Sequence, residues 1–242
     1  MTKDQRPKIN VLIASVLLNI LLAGLQFTHY PTSFYNKYVL KSDPEIKYSL
    51  ERFTFHYLPE TNKPRIAFLG DSIVEAANLP ELLGRNDIVN RGISGDNSIW
   101  MQNRTKYLLS KKPKYLLIEG GINDINRKTP VKTILESKVA IVDFCKKNDI
   151  IPILVEVIPV TREPKAKLPA SSSEINNEVK LLNQLIGEYS LKESIPLVHM
   201  TNGLSDGEYL KTELSTDGVH LNTEGYAFFR ENILKVLAKL GA

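Results

Sequence analysis

The segment Arg65–Glu75, with the sequence RIAFLGDSIVE, joins an apolar run to a helix-like segment through a sharp turn. The run Ile66–Leu69 has the length and composition of a strand that is buried on both faces. Gly70, Asp71 and Ser72 end this run. A serine at the carboxyl end of a strand, just before a helix, lies where α/β enzymes place nucleophiles. Ser72 is therefore a candidate nucleophile, although Gly-Asp-Ser is also ordinary turn chemistry.

From Arg65 onward, strand-like and helix-like segments alternate to the end of the chain. The predicted strands are Ile66–Leu69, Ile88–Asn90, Tyr115–Glu119, Ile151–Ile158 and Pro196–His199. The predicted helices are Ile73–Leu83, Ser98–Leu109, Val131–Lys147, Glu174–Lys192 and Thr223–Leu240. Short strands interleaved with helices of this length indicate an α/β fold, in which a parallel sheet is covered on both faces. Thr161–Ser173 lacks periodicity and is predicted to be a surface loop.

Four polar, glycine-containing segments lie beside predicted strands or before the last predicted helix. They are Gly70–Ser72, Asn90–Asn97, Gly120–Asp124 and Asp217–Asn222. The carboxyl ends of parallel strands meet at one edge of a sheet, and ligands of such sheets bind there. We therefore expect these segments to converge at one site.

The last of these segments contains an aspartate three residues before a histidine. In a loop, the Asp217 carboxylate can fold back and accept a proton from the Nδ1 atom of His220. That arrangement fixes the tautomer and leaves Nε2 free to accept a proton from a serine hydroxyl. The alternative is that Asp217 only forms a turn and His220 is a surface side chain.

Acyl transfer also requires hydrogen-bond donors for the developing oxyanion. The candidates are the backbone N–H groups of Ser72 and Gly95 and the side-chain amide of Asn123. Gly95 and Asn123 could equally be turn residues. Their occurrence in this order, each after a predicted strand, favours the catalytic interpretation. Asp71 and Asp124 are interpreted as structural residues that brace their turns.

Taken together, the four segments resemble the conserved blocks of the SGNH hydrolases, the GDSL-like lipase and esterase superfamily. The first block reads GDSI here instead of G-D-S-L. The second lies in NRGISGDN, where we assign its glycine to Gly95, with Gly92 as the alternative. The third, G-x-N-D, matches Gly121–Asp124, and the last, D-x-x-H, matches Asp217–His220. The resemblance extends from Arg65 to the end of the chain and is nearest to platelet-activating-factor acetylhydrolase-like and bacterial lysophospholipase-like esterases.

This resemblance implies a flavodoxin-like, three-layer α/β/α domain and a serine esterase mechanism. Ser72 would be the nucleophile, His220 the base and later the acid, and Asp217 its orienting partner. The backbone N–H groups of Ser72 and Gly95 and the Asn123 amide would form the oxyanion hole. The expected reaction is hydrolysis of acyl or acetyl esters of lipids or envelope glycans through an acyl-serine intermediate. An O-acyltransferase with the same residues and a non-catalytic binding domain remain alternatives.

The amino terminus carries a candidate membrane anchor. Lys3, Arg6 and Lys8 precede Ile9–Phe27, which contains no charged residue. As a helix this segment would extend about 28 Å, close to the hydrocarbon thickness of a bilayer. The basic flank predicts a cytoplasmic amino terminus and an extracytoplasmic catalytic domain. A cleaved signal peptide and an amphipathic helix are the alternatives. We therefore expect a tip and anchor at residues 1–29, a connector at 30–63 and a hydrolase domain at 64–242.

Other classes of function find little support in the composition. The formal net charge of +4 is small and its basic residues are scattered, so no nucleic-acid partner is expected. We predict no cofactor. A metal site built from His199, His220, Asp217 and Glu119 is conceivable, but no ligand-spacing motif supports it. His199 itself has no carboxylate nearby in sequence and is interpreted as a structural residue at a strand end.

Overall fold

The computed structural model describes residues 64–107 and 112–242. In this part of the chain five parallel strands form one sheet in the order β2-β1-β3-β4-β5. The strands are β1 (Ile66–Gly70), β2 (Ile88–Gly92), β3 (Tyr115–Ile118), β4 (Ile151–Val155) and β5 (Leu197–Val198). The predicted parallel α/β class is confirmed, and the strand order is flavodoxin-like. Its topological switch point lies between β1 and β3, the position at which such sheets bind ligands.

The α-helices of the described residues cover both faces of the sheet. They are α1 (Ser72–Ala76), α2 (Leu79–Leu83), α3 (Ser98–Thr105), α4 (Ile122–Asn126), α5 (Val131–Lys147), α6 (Ser172–Glu193) and α7 (Thr223–Lys239), with a short 3₁₀ turn at Thr212–Leu214. One core cluster joins α1, α2 and α7 to the sheet, and a second joins α3, α4, α5 and α6 to it. The described part of the chain is therefore a three-layer α/β/α structure.

Alternation along β1 explains why its sequence is apolar throughout. Ile66 and Phe68 point into the first core cluster, whereas Ala67 and Leu69 point into the second. All four side chains are at most 1% exposed. Because both faces of a parallel sheet are covered by helices, every position of a central strand must be apolar.

The predicted helix Ile73–Leu83 is wrong in one respect, since the structure divides it into two short helices. α1 ends at Ala76, Ala77 is extended, and α2 begins at Leu79. Pro80 occupies the first turn of α2, where proline is tolerated; inside a continuous helix it would lack the required N–H. Because of this break, the chain changes direction little more than one helical turn after Ser72.

Two predicted strands exceed the observed ones by two residues or more. The predicted strand Ile151–Ile158 ends at Val155, and the last strand contains only Leu197 and Val198. After Val155, the N–H and C=O groups of Val157 bond to the side-chain amide of Asn183 rather than to a neighbouring strand. The Asn183 amide thus replaces the sheet partner where the ladder stops.

The predicted membrane anchor Ile9–Phe27 and the connector at 30–63 lie outside the described residues. Of the predicted helix Ser98–Leu109, the structure shows α3 ending at Thr105, and residues 108 and 109 also lie outside the described residues. Within residues 64–107 and 112–242, no helix combines the length and the apolar character needed to cross a bilayer.

Candidate active site

Ser72 is the first residue of α1, directly after the turn that ends β1. Asp71 is the N-cap of this helix, and its Oδ1 accepts a hydrogen bond from the N–H of Ile73 at 3.0 Å. Asp71 and Ile73 are buried, whereas Ser72 is partly exposed. The first N–H groups of a helix have no intrahelical partner and carry a partial positive charge. The turn therefore presents the Ser72 hydroxyl to solvent beside free backbone donors.

His220 meets Ser72 across 148 residues of sequence. The Ser72 Oγ lies 3.0 Å from the Nε2 of His220, and the His220 Nδ1 lies 2.7 Å from the Oδ2 of Asp217. A proton on Nδ1 is held by the Asp217 carboxylate, which leaves Nε2 as the acceptor for the Ser72 hydroxyl. The structure thus brings the three predicted side chains into one hydrogen-bonded chain.

The loop before α7 holds Asp217 in place through its own backbone. The Oδ1 of Asp217 accepts the N–H groups of Val219 at 2.9 Å and His220 at 2.8 Å. Burial acts to raise the pKa of Asp217, but the hydrogen bonds from His220 and Val219 outweigh it and hold this pKa below its usual value. Gly218 has φ +97°, and a Cβ there would lie 2.4 Å from the Pro164 Cα, so the loop requires glycine.

Asn123 connects the turn that carries Ser72 with the turn after β2. Its Nδ2 donates to the backbone oxygen of Asp96 at 3.0 Å and, over a longer 3.4 Å, to the Oδ2 of Asp71. Asp96 follows Gly95, and Asp71 precedes Ser72. The amide of Asn123 therefore links the residue before Ser72 to the residue after Gly95.

Gly95 and Gly92 have different environments, which separates the two candidates for the second block. Gly92 is the last residue of β2, pairs with Gly70, and would place a Cβ 2.2 Å from the backbone nitrogen of Glu75. It is a packing glycine. Gly95 is partly exposed and has φ +77° in the turn that leads to α3. Packing accounts for Gly92, and Gly95 is the more accessible of the two glycines.

Asp124 braces the site from the side of β3. Its two carboxylate oxygens accept the Ser98 backbone N–H at 2.9 and 3.1 Å, and its Oδ1 accepts the Ser98 hydroxyl at 2.6 Å. Ser98 is the first residue of α3, so this contact locks the start of α3 to α4. The positions of Asp71 and Asp124 agree with the bracing roles predicted for them.

Sequence reasoning missed Arg104, which ties the second block to the end of β1. Its Nε donates to the Asp96 Oδ2 at 2.6 Å, and its Nη2 donates to the Gly70 oxygen at 3.0 Å. Both charged side chains are at least nine-tenths buried. Burial raises the pKa of Asp96 to about 6 although Arg104 pulls it down. In the sequence, the only indication of this ion pair is that Arg104 occupies an inward-facing position of a predicted helix.

A second cluster of buried charged residues lies beneath the turn that carries Ser72. Glu119, at the end of β3, accepts the backbone N–H of Asp71 through Oε2 at 3.4 Å. Lys138 of α5 is 1% exposed, and none of the described residues accepts a hydrogen bond from its Nζ. Burial raises the pKa of Glu119, and the neighbouring charge of Asp71 adds to this effect. The sequence gives no sign of this cluster, because Glu119 and Lys138 lie in unrelated segments.

His199 directly follows β5, as expected for a residue at a strand end, and the structure gives it a carboxylate partner from a position distant in sequence. Its Nδ1 lies 2.9 Å from the Oε1 of Glu156, which follows the end of β4. Adjacent parallel strands bring these residues together although 43 positions separate them. The Glu156 Oε2 also accepts the hydroxyl of Thr201 at 3.0 Å.

The four residues of the conceivable metal site are not assembled into one. His199 is paired with Glu156, His220 with Asp217, and Glu119 faces the backbone of Asp71. In residues 64–107 and 112–242, no group of three or more histidine, cysteine, aspartate or glutamate side chains is arranged to hold a metal ion.

Comparison with known proteins identifies the family of this chain. Residues 68–228 match the GDSL-like lipase/acylhydrolase family, a span that includes Ser72, Gly95, Asn123, Asp217 and His220. The chain belongs to this family. It is a carboxylic ester hydrolase.

Individual relatives agree with this assignment. The chain is 26% identical over 218 residues to an isoamyl acetate-hydrolyzing esterase from Saccharomyces cerevisiae, covering 84% of this chain and 86% of the yeast protein. A candidate platelet activating factor protein from Streptococcus pneumonia has 27% identity and a TM-score of 0.67, covering 79% of this chain and 94% of that one. A GDSL-like lipase from Bacteroides thetaiotaomicron has 23% identity and a TM-score of 0.67, with 81% and 98% covered, and supports the fold.

Proposed function

We propose that the protein is a serine esterase that cleaves carboxylic esters through an acyl-serine intermediate on Ser72. The observation that carries this proposal is the hydrogen-bonded chain from the Ser72 Oγ to the His220 Nε2 at 3.0 Å, and from the His220 Nδ1 to Asp217 at 2.7 Å. A hydroxyl becomes an effective nucleophile when an oriented general base accepts its proton. These three groups have that relation.

In the first half of the reaction, the Ser72 Oγ attacks the ester carbonyl carbon while its proton moves to the His220 Nε2. The tetrahedral intermediate then collapses, the bond to the alcohol oxygen breaks, and His220 returns the proton to the leaving alcohol. In the second half, a water molecule gives a proton to His220 and attacks the acyl-serine. The second tetrahedral intermediate then collapses, the bond between the acyl carbon and the Ser72 Oγ breaks, and His220 returns its proton to Oγ, which releases the acid and restores the hydroxyl. Asp217 stabilises the imidazolium in both halves.

The oxyanion of each tetrahedral intermediate would be stabilised by the Ser72 and Gly95 backbone N–H groups and by the Asn123 amide. Asn123 is already anchored by its 3.0 Å hydrogen bond to the Asp96 oxygen. Its second amide hydrogen makes only the longer 3.4 Å contact with Asp71. This weaker contact leaves a hydrogen that can turn toward a developing negative charge.

We infer that the substrates are esters of short acyl groups and that the natural esters are lipids or envelope glycans. The support for a short acyl group is the yeast relative named for the hydrolysis of isoamyl acetate. The support for lipid or glycan esters is the candidate anchor at Ile9–Phe27, which would place the domain at a membrane surface.

The decisive experiment replaces the nucleophile. Ser72→Ala is expected to lower kcat/KM for 4-nitrophenyl acetate by about 10⁴-fold or more, because no acyl-enzyme can form. It should also abolish labelling by a fluorophosphonate probe. Ser205→Ala removes a serine hydroxyl from a different loop and should leave both readouts unchanged. Parent-level turnover by the folded Ser72→Ala variant would contradict the proposal. Product analysis with and without an added alcohol distinguishes a hydrolase from an O-acyltransferase.

We propose further that residues 1–29 anchor the enzyme in a membrane, with the hydrolase domain on the extracytoplasmic side. The uncharged segment Ile9–Phe27 and the basic residues before it support this orientation. A fusion of residues 1–63 to alkaline phosphatase is expected to be active and to remain in the membrane fraction of a bacterial host. An inactive fusion would contradict the orientation, and a released active enzyme would indicate a cleaved signal peptide instead.

A further inference from the structure

The guanidinium of Arg127 lies at the rim of the candidate oxyanion hole. Arg127 caps α4, one turn after Asn123, and its Nη1 makes a 3.4 Å contact with the Asn123 backbone oxygen. Its Nη2 lies 3.9 Å from the point that a Cβ on Gly95 would occupy. The Arg127 side chain thus extends from the segment that contains Asn123 toward the turn that contains Gly95.

An exposed aromatic ring accompanies this cation. The Cζ of Arg127 lies 5.8 Å from the centroid of the Trp100 ring, a cation–π distance. Trp100 is 43% exposed and its neighbour Ile99 is 44% exposed, both in the first turn of α3. We call these three exposed residues the Arg127 rim (Ile99, Trp100 and Arg127).

Two carboxylates of the neighbouring segments are already engaged by other groups. Asp96 is paired with Arg104, and the Glu75 Oε2 accepts the Ser94 N–H at 2.7 Å. Arg127 itself forms no ion pair with a carboxylate of the described residues. Its charge is therefore directed to solvent next to the position at which a substrate carbonyl would bind.

We propose that Arg127, stacked on Trp100, is a specificity-determining residue that favours esters with an anionic group, a carboxylate or a phosphate, close to the scissile carbonyl. This inference rests on the proposed serine esterase function and adds the charge class of the substrate. A guanidinium suits both anions because its planar fork pairs with two oxygens at once. The apolar part of the same rim would contact the hydrocarbon portion of the substrate.

The effect is expected to be moderate, because the guanidinium is exposed to water. Opposite charges a few ångströms apart at a protein surface attract each other with a strength between the bulk-water and interior limits, and salt screens them over about 8–10 Å. We therefore expect a preference of about 5- to 10-fold that declines as the ionic strength rises.

The test compares two aryl acetates of nearly the same shape, the anionic 4-acetoxybenzoate and the neutral 4-acetoxybenzamide, each with a single ester bond. The measured quantity is the ratio of kcat/KM for the anionic ester to kcat/KM for the neutral ester, determined in the full chain at low salt. Comparing this ratio between enzymes cancels the intrinsic reactivity of the two esters. Arg127→Gln is expected to lower the ratio about 5- to 10-fold, and Arg127→Glu should lower it further. Added sodium chloride should lower the ratio of the parent and leave that of Arg127→Gln unaltered.

Arg162→Gln is the matched control, because Arg162 also stacks on an aromatic ring, with its Cζ 4.0 Å from the centroid of Tyr209. It should keep the parent ratio. The proposal is wrong if Arg127→Gln has the parent ratio within twofold, or if Arg162→Gln changes the ratio by as much. Failure of the underlying function looks different: if Ser72 is not the nucleophile, Ser72→Ala continues to hydrolyse both esters, whatever the ratio in Arg127→Gln.

Discussion

Two imidazole–carboxylate pairs lie at the same edge of the sheet and differ in what the third group touches. In both, the imidazole Nδ1 contacts a carboxylate, at 2.7 Å between His220 and Asp217 and at 2.9 Å between His199 and Glu156. In the first pair, the Ser72 hydroxyl lies on the opposite ring nitrogen, Nε2. In the second, the Thr201 hydroxyl donates to the carboxylate itself.

Because of this difference, the first pair can accept a proton from a hydroxyl, whereas the second pair is a structural contact. The Ser72 proton can pass to Nε2 while the carboxylate stabilises the charged ring. The Thr201 proton is directed to Glu156 and has no path to the imidazole of His199. Ser72 also starts a helix and follows Asp71, which the Asn123 amide contacts, whereas Thr201 lies in the irregular segment after β5. An imidazole–carboxylate pair therefore does not identify an active site unless the hydroxyl and the oxyanion donors are present as well.

The largest effect in this comparison is expected from neutralising the carboxylate of the first pair. Asp217→Asn keeps the shape but offers an amide to Nδ1, so the imidazole loses its oriented tautomer and its counter-charge. We expect kcat/KM for 4-nitrophenyl acetate to fall by about 10³- to 10⁴-fold. Glu156→Gln makes the same chemical change in the second pair and should leave kcat/KM within about threefold of the parent. Equal losses in the two variants would remove the distinction between the pairs.

The next effect concerns Asn123, which we propose as an oxyanion donor beside the first pair. Asn123→Ala removes the amide that contacts Asp71 and the Asp96 oxygen, and we expect kcat to fall by about 10²- to 10³-fold. KM should change little, because the donor acts mainly when negative charge develops on the carbonyl oxygen. Asn177→Ala removes an exposed amide from α6 and serves as the control. A loss that appears in KM alone would show that Asn123 binds the substrate instead.

The pairing of Ser72 with His220 could be predicted because both residues lie in loops that must meet. The end of β1 and the loop before the last helix are placed at one sheet edge by the parallel topology itself, and each loop carries a local pattern of residues. The same argument could have placed His199 near a neighbouring strand end. It could not identify Glu156, because no sequence spacing connects residues on two different strands.

Other features depended on packing that a single sequence does not encode visibly. The buried Arg104–Asp96 pair links a helix to the turn beside Gly95, and only the folded arrangement shows that Arg104 also reaches the Gly70 oxygen. The break after Ala76 is a different case, since Pro80 made a continuous helix to Leu83 unfavourable from the outset. Local rules could have given that boundary, whereas the buried ion pair required the three-dimensional structure.

The smallest effect should come from removing the imidazole of the second pair. The His199 side chain is 58% exposed, and an ion pair at such a site contributes at most about 1 kcal/mol. The Glu156 carboxylate keeps its hydrogen bond from Thr201 when His199 is replaced. His199→Asn is therefore expected to change the free energy of unfolding by less than about 1 kcal/mol and kcat/KM by less than about twofold. Chemical denaturation and the 4-nitrophenyl acetate assay measure the two quantities. A large loss of activity in a stable His199→Asn variant would show that the second imidazole takes part in the reaction, and the hydroxyl position would then no longer distinguish the two pairs.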